Sequence, residues 1–158
     1  MKPQDYLGQV KLLDLKIQHK LEQRADLMAR AACNQSPSLT KDKVQSSPSG
    51  DRMARTVEKY VDLEREIDAA IDEYLTVKNR IITEIHSLND ARYVDLLMLK
   101  YVGQRDPKTL KVHYLRLEEI ACTMRKTNGD HYSFDHIAHL HGEALQEFWK
   151  SHRNHNIK

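Results

Sequence analysis

"DRMARTVEKYVDLEREIDAAIDEYLTVKNRIITEIH", residues 51–86, decides the fold class. Positions 53, 57, 60, 64, 67, 71, 74, 78, 81 and 85 alternate steps of four and three. Met53, Val57, Tyr60, Ile67, Ile71, Tyr74, Ile81 and Ile85 are apolar or aromatic, and Glu64 and Lys78 interrupt the pattern. That alternation is the seam of a coiled coil. A helix over 51–86 rises 1.5 Å per residue and would be about 50 Å long. It cannot bury such a seam against itself. Its partner is expected to be an earlier helix of the same chain, in an antiparallel hairpin, or a second copy. Asp51 or Ser49 is expected to cap it, since a short side-chain oxygen accepts a bond from a free first-turn N–H. An anion at this end, held by Arg52, is disfavoured because Asp51 already places a carboxylate there.

The earlier helix is expected over 4–32. Tyr6, Val10, Leu13, Ile17, Leu21 and Met28 recur at steps of three, four and seven, and Pro3 suits its start. Between the two lies a Ser-rich stretch, 34–50, with two prolines and a glycine, which reads as a loop. After residue 86 the pattern shortens. A third helix is expected over 87–102, with Asn89 or Asp90 as its cap. Residues 103–114, basic and broken by Gly103 and Pro107, read as a loop. A short helix follows over 115–124, with Leu117, Ile120, Ala121 and Met124 inward. Residues 125–132 form a turn with Asn128-Gly129. A last helix starts at Ser133 and buries Ile137, Leu140, Ala144, Leu145 and Phe148. Residues 151–158 are expected to be a flexible tail.

Composition narrows the function classes. The chain has 158 residues, 40% hydrophobic and 30% charged, with five glycines and four prolines, a balance that favours helices over a β fold. No apolar run approaches the roughly 18 residues of a membrane span, and the charged start has no signal-peptide core. Cys33 and Cys122 are far apart and form no CxxC, which fits a reduced, cytoplasmic protein. Residues 51–86 carry six Lys/Arg against nine Asp/Glu, while 87–158 carry eleven against nine and seven of the nine histidines. The acidic middle and the mildly basic, His-rich end therefore point to different partners.

The last two helices, joined by a polar turn, match a helix-turn-helix pattern. Its second helix would pack one face and offer the other to a DNA major groove. The free face carries Ser133, Asp135, His136, His139 and Glu143, and the turn before it carries Arg125 and Lys126, suited to phosphate. His136, His139 and Glu143 share a face and resemble a metal set. No HExxH or Cys-His frame completes a site, so no metal and no cofactor are expected. His141 lies near the apolar face and is expected to be packed. No phosphate loop, GxSxG or activated cysteine is present, and Glu118 and Glu119 point about 100° apart, so an enzyme is not expected.

"KVQSSPSGDRMARTVEKYVDLE" (43–64), "DLLMLKYV" (95–102), "LEEIA" (117–121) and "LHGEAL" (140–145) add a resemblance. In this order they resemble a family of small phage and prophage proteins of Gram-positive bacteria. The C-terminal part of that family is similar to region 4 of sigma-70 factors, and it is grouped with ArpU- and RinA-type regulators of late genes. The similarity extends from Tyr6 to Phe148, and the Ser-rich motif before the second helix is its most specific part. The chain departs from it in a longer insert at 103–116 and in the start of its last helix, where Phe134, Asp135, His136 and His139 replace the family's Arg and Gln.

The expectation is thus an all-α protein in two parts. A long antiparallel helical hairpin (coiled coil) occupies 1–86, and a small helical domain with a helix-turn-helix occupies 87–150. The expected role is a phage-type DNA-binding transcriptional regulator in the host bacterial cytoplasm, acting on late or packaging genes. Double-stranded DNA is the expected partner, met through Arg125, Lys126, Ser133, His136, His139 and Glu143. Contact with host RNA polymerase and a homodimer through the coiled coil complete the picture. The rival is a non-enzymatic phage assembly or packaging accessory that works through its coiled coil.

Overall fold

Helical periodicity dominates the chain, and the fold is all-α apart from one hairpin of two-residue strands. The computed structural model describes residues 2–33, 49–108, 111–126 and 129–155. Its elements are α1 (Pro3–Leu7), α2 (Gln9–Cys33), α3 (Ser49–His86), α4 (Ala91–Leu97), a π-helical turn (Met98–Val102), β1 (Gln104–Arg105), β2 (Val112–His113), α5 (Leu117–Thr123) and α6 (Phe134–His155). The Ser-rich stretch over 34–48 lies outside the described residues, as do the side chains expected to cap α3.

Pro3 occupies the first turn of α1, where its missing N–H leaves no helical bond unmade. Helical bonding then runs through Gly8. Its N–H donates to the Gln4 carbonyl at 2.9 Å, and Leu12 N–H donates to the Gly8 carbonyl at 3.1 Å.

Two compact units divide the chain: residues 1–12 with 74–158, and residues 13–73. The boundary expected at 86/87 therefore moves. Tyr6, Leu7 and Val10 from the N-terminus and Ile81 and Ile85 from α3 share one core with Leu96, Leu97, Ile120, Ile137 and Phe148. A small domain of 87–150 alone would lack those side chains, and burial of each is worth about 1.5–3 kcal/mol.

In residues 13–73, Leu13 and Ile17 of α2 and Leu63 and Ile67 of α3 are buried. Lys20 pairs with Glu66, and Arg24 Nη1 lies 3.1 Å from Glu64 Oε1. The α3 seam follows the expected one at 60, 67, 74, 81 and 85 and departs from it at 57 and 71. Ile67, Ile81 and Ile85 are buried and Tyr60 and Tyr74 half-buried, but Val57 and Ile71 are exposed. Leu63, Ala70 and Val77 turn inward instead. Both registers share 60, 67, 74 and 81. They differ in whether Leu63, Ala70 and Val77 or Glu64, Ile71 and Lys78 fill the alternate places. Glu64 and Lys78 remain half-buried at the edge of the seam, Glu64 paired with Arg24 and Lys78 bonded to the Tyr74 hydroxyl at 3.1 Å. On α2 the inward face likewise passes from Ile17 through Lys20, Arg24 and Leu27, leaving the expected Leu21 and Met28 exposed.

Asp90 caps α4, accepting a bond from Arg92 N–H at 2.9 Å. The helix expected to run on to 102 widens at its end. Gly103 N–H bonds the Met98 carbonyl at 2.9 Å, five residues back. The Leu99 carbonyl takes Leu115 N–H at 3.2 Å. Gly103 turns the chain away at φ 75°, a conformation that L side chains rarely adopt. The insert expected to be a loop instead pairs Gln104 with His113 and Arg105 with Val112. Two residues per strand give too little alternation to read from sequence.

Candidate nucleic-acid interface

α6 packs on α1, α4 and α5. Ile137, Leu140, Ala144, Leu145 and Phe148 are all buried, the apolar face expected of this helix. Those positions follow 3.6-residue periodicity and leave 135, 136, 139 and 143 on the exposed side. Ser133 caps the helix, its Oγ accepting from His136 N–H at 3.3 Å.

The turn before α6 is longer than expected. α5 ends at Thr123 and α6 begins at Phe134, whereas a helix-turn-helix joins its helices through three or four residues. The connection closes on itself. Arg125 and His131 form an antiparallel bridge, Lys126 N–H donates to the Asp130 carbonyl at 2.8 Å, and Gly129 adopts φ 88°. Arg125 Nη1 donates to the Gly129 carbonyl at 3.3 Å. Lys126 Nζ stands 5.7 Å from the centroid of the Tyr132 ring, which stacks on His136 at 5.0 Å. The structure thus gathers exposed Lys126 and His136 on the two sides of a half-buried Tyr132 at the start of α6.

His139 and Glu143 form the next group. His139 Nε2 lies 3.3 Å from Glu143 Oε1, and Tyr93 OH donates to Glu143 Oε2 at 3.3 Å. Burial, helped by Glu143, raises the Tyr93 hydroxyl above its usual range, so it remains a donor. Glu143 is thereby tied to α4 and to His139, which suits it to orienting the imidazole rather than to touching phosphate. Among the described residues, no three His, Cys, Asp or Glu side chains converge as a metal site.

His141 is buried, as expected, and accepts or donates a bond at 3.0 Å from Tyr101 OH through Nε2. Burial first, and the Lys100 charge second, bring the imidazole down to about 4. The ring is therefore neutral near pH 7, and the Tyr101 hydroxyl, itself pushed up to about 12 by burial, keeps its proton.

Sequence reasoning missed a second group. Residues 151–155, expected to belong to a flexible tail, continue α6. His152 Nδ1 lies 3.3 Å from Glu84 Oε2, while Tyr6 OH donates to Glu84 Oε1 at 2.9 Å. The imidazole sits against Tyr6 at 4.6 Å and stacks on Trp149 at 5.3 Å. Continued spacing from Leu145 through Phe148 to His152 was the available signal, masked by the polar composition of the last eight residues.

No described helix is long and apolar enough to cross a membrane. Comparison with family models, curated proteins and solved structures finds no match to this chain.

Proposed function

We propose that the chain is a non-enzymatic, phage-type DNA-binding regulator of late or packaging genes, working in the bacterial cytoplasm. Its α6 would enter the major groove, with Arg125 and Lys126 on flanking phosphates and Ser133, His136 and His139 toward base edges. Glu143 would orient His139. The observation that carries this reading is the division of α6. One face is fully packed, and the other is exposed over its first three turns behind a cation-bearing turn. The resemblance to sigma region 4-like phage proteins supports the same role, with RNA polymerase as a further partner.

Duplex binding by the full chain, measured by fluorescence anisotropy across salt concentrations, tests it. Arg125→Ala with Lys126→Ala should weaken binding to every sequence and lower the log–log salt slope by about 0.9 for each phosphate no longer neutralised. His136→Ala with His139→Ala should instead narrow the gap between upstream DNA of its own genome and random DNA. Absence of any duplex binding at low salt would remove the regulator reading.

One observation favours the rival, an assembly or packaging accessory. Val57, Val61 and Ile71, all within residues 13–73, are exposed and fall within about 80° of arc on α3 at 100° per residue. A stripe of this kind suits a second copy of the chain, and a homodimer through α3 belongs to either reading.

A further inference from the structure

A cleft of about 400 Å³ opens in the unit formed by residues 1–12 and 74–158, and Lys11, Lys100, Tyr114, Arg116, Glu118 and Phe134 are among its lining. Phe134, the first residue of α6, places the cleft beside the start of the exposed helix. Three cations from three segments meet there, and Glu118 is the single carboxylate among the described residues that line it. Lys11 Nζ stands 5.6 Å from the centroid of the Tyr114 ring, and Lys100 Nζ 5.9 Å from that of Tyr101.

Lys100 reaches the cleft from the π-helical turn at Met98–Val102. Such turns are rare and recur at functional sites. Here it is fixed by Gly103, where a Cβ would lie 2.7 Å from Val112 Cγ1. Burial holds the Lys100 ammonium below its usual range. Glu118 opposes that shift and Lys11 adds to it. The Glu118 carboxylate offsets part of the repulsion between the two ammonium groups, and a bound anion would offset the rest. Two lysines and an arginine from three segments line one cleft, and together they supply the charge and the several N–H donors that a phosphate takes.

We propose that this cleft is a phosphate site. Resting on the DNA-binding reading above, its phosphate is a backbone phosphodiester beside α6; a free small phosphate compound is the other source of the same chemistry. Two measurements on the full chain test both statements. Amide NMR shifts are followed during titration with inorganic pyrophosphate, and duplex binding is followed across salt. Wild type is compared with Lys11→Gln/Arg116→Gln and with Lys16→Gln as a control away from the cleft. Saturable shifts at Lys11, Lys100 and Arg116 are expected, weakened at least tenfold in the double variant and unchanged in the control. For a backbone phosphodiester, the double variant also lowers the log–log salt slope by about 0.9, one phosphate. Pyrophosphate binding with an unchanged slope overturns the backbone source and assigns the cleft to a free phosphate compound. A wild type that binds pyrophosphate but no duplex removes the DNA reading and leaves the phosphate site in place. No saturable shift at these three amides overturns the proposal, whatever the DNA measurement gives.

Discussion

His141 shows what one buried imidazole does to stability. Its ring is 8% exposed and its affinity for a proton falls from an ordinary 6.5 to about 4 in the fold. The unfolded chain therefore binds the proton more readily, and stability rises with pH between those two values. The contribution is complete above about pH 6.5 and is lost as pH falls toward 4. Between pH 7 and 5 the loss should be about 1–2 kcal/mol, allowing for partial solvent screening. His141→Gln keeps a partner for Tyr101 OH and cannot titrate. Denaturant melts at pH 7 and 5 should differ less for the variant than for wild type, and equal differences would mean that the ring is not held neutral. Gly103 is a sharper single-residue test. At φ 75°, a Cβ would meet Val112 Cγ1 at 2.7 Å and the His113 carbonyl at 2.8 Å. Gly103→Ala should cost about 3 kcal/mol, combining left-handed strain and overpacking. A melt within about 0.5 kcal/mol of wild type, the size of an ordinary surface change, would show that the π-helical turn tolerates a side chain there.

At the scale of elements, α6 was legible because its apolar face and its polar face do not compete for the same positions. α3 was legible as a helix but not in its register. Its apolar residues form a band wide enough for two seams, and periodicity alone does not say that Leu63 is buried while Val57 and Ile71 are exposed. The π-helical turn gave no signal, since Met98, Tyr101 and Val102 fit α-helical spacing as well. The phosphate cleft gave none either, because Lys11, Lys100 and Arg116 are brought together only by packing. The register is directly testable. Ile67 is 2% exposed and Ile71 36%, so Ile67→Asp should cost about 3–5 kcal/mol, through a charge stranded in the seam. Ile71→Asp should cost under about 1 kcal/mol in a monomer. If α3 pairs with a second copy through Val57, Val61 and Ile71, Ile71→Asp should instead halve the mass seen by light scattering. Similar losses for the two variants in a monomer would restore the expected seam.

At the scale of the whole molecule, the core around α6 is assembled from both ends of the chain. Tyr6 near the start, Glu84 at the end of α3 and His152 near the finish form one cluster. Burial, and then the neighbouring Glu84 carboxylate, push the Tyr6 hydroxyl up to about 12, so it stays a donor to Glu84. His152 supplies the other side of that carboxylate, and Glu84 Oε2 is buried. Residues 151–155 are thus part of the fold, although their composition resembles a tail. Removing residues 151–158 should take away the ring packed on Tyr6, Phe148 and Trp149 and leave a buried carboxylate oxygen without its nearest partner. The loss should be about 2 kcal/mol, from the apolar contacts of the ring. His152→Ala alone should reproduce most of that destabilisation. A chain ending at Lys150 with the wild-type midpoint would mean that the cluster holds no part of the core, and that the sequence-based tail was the better description.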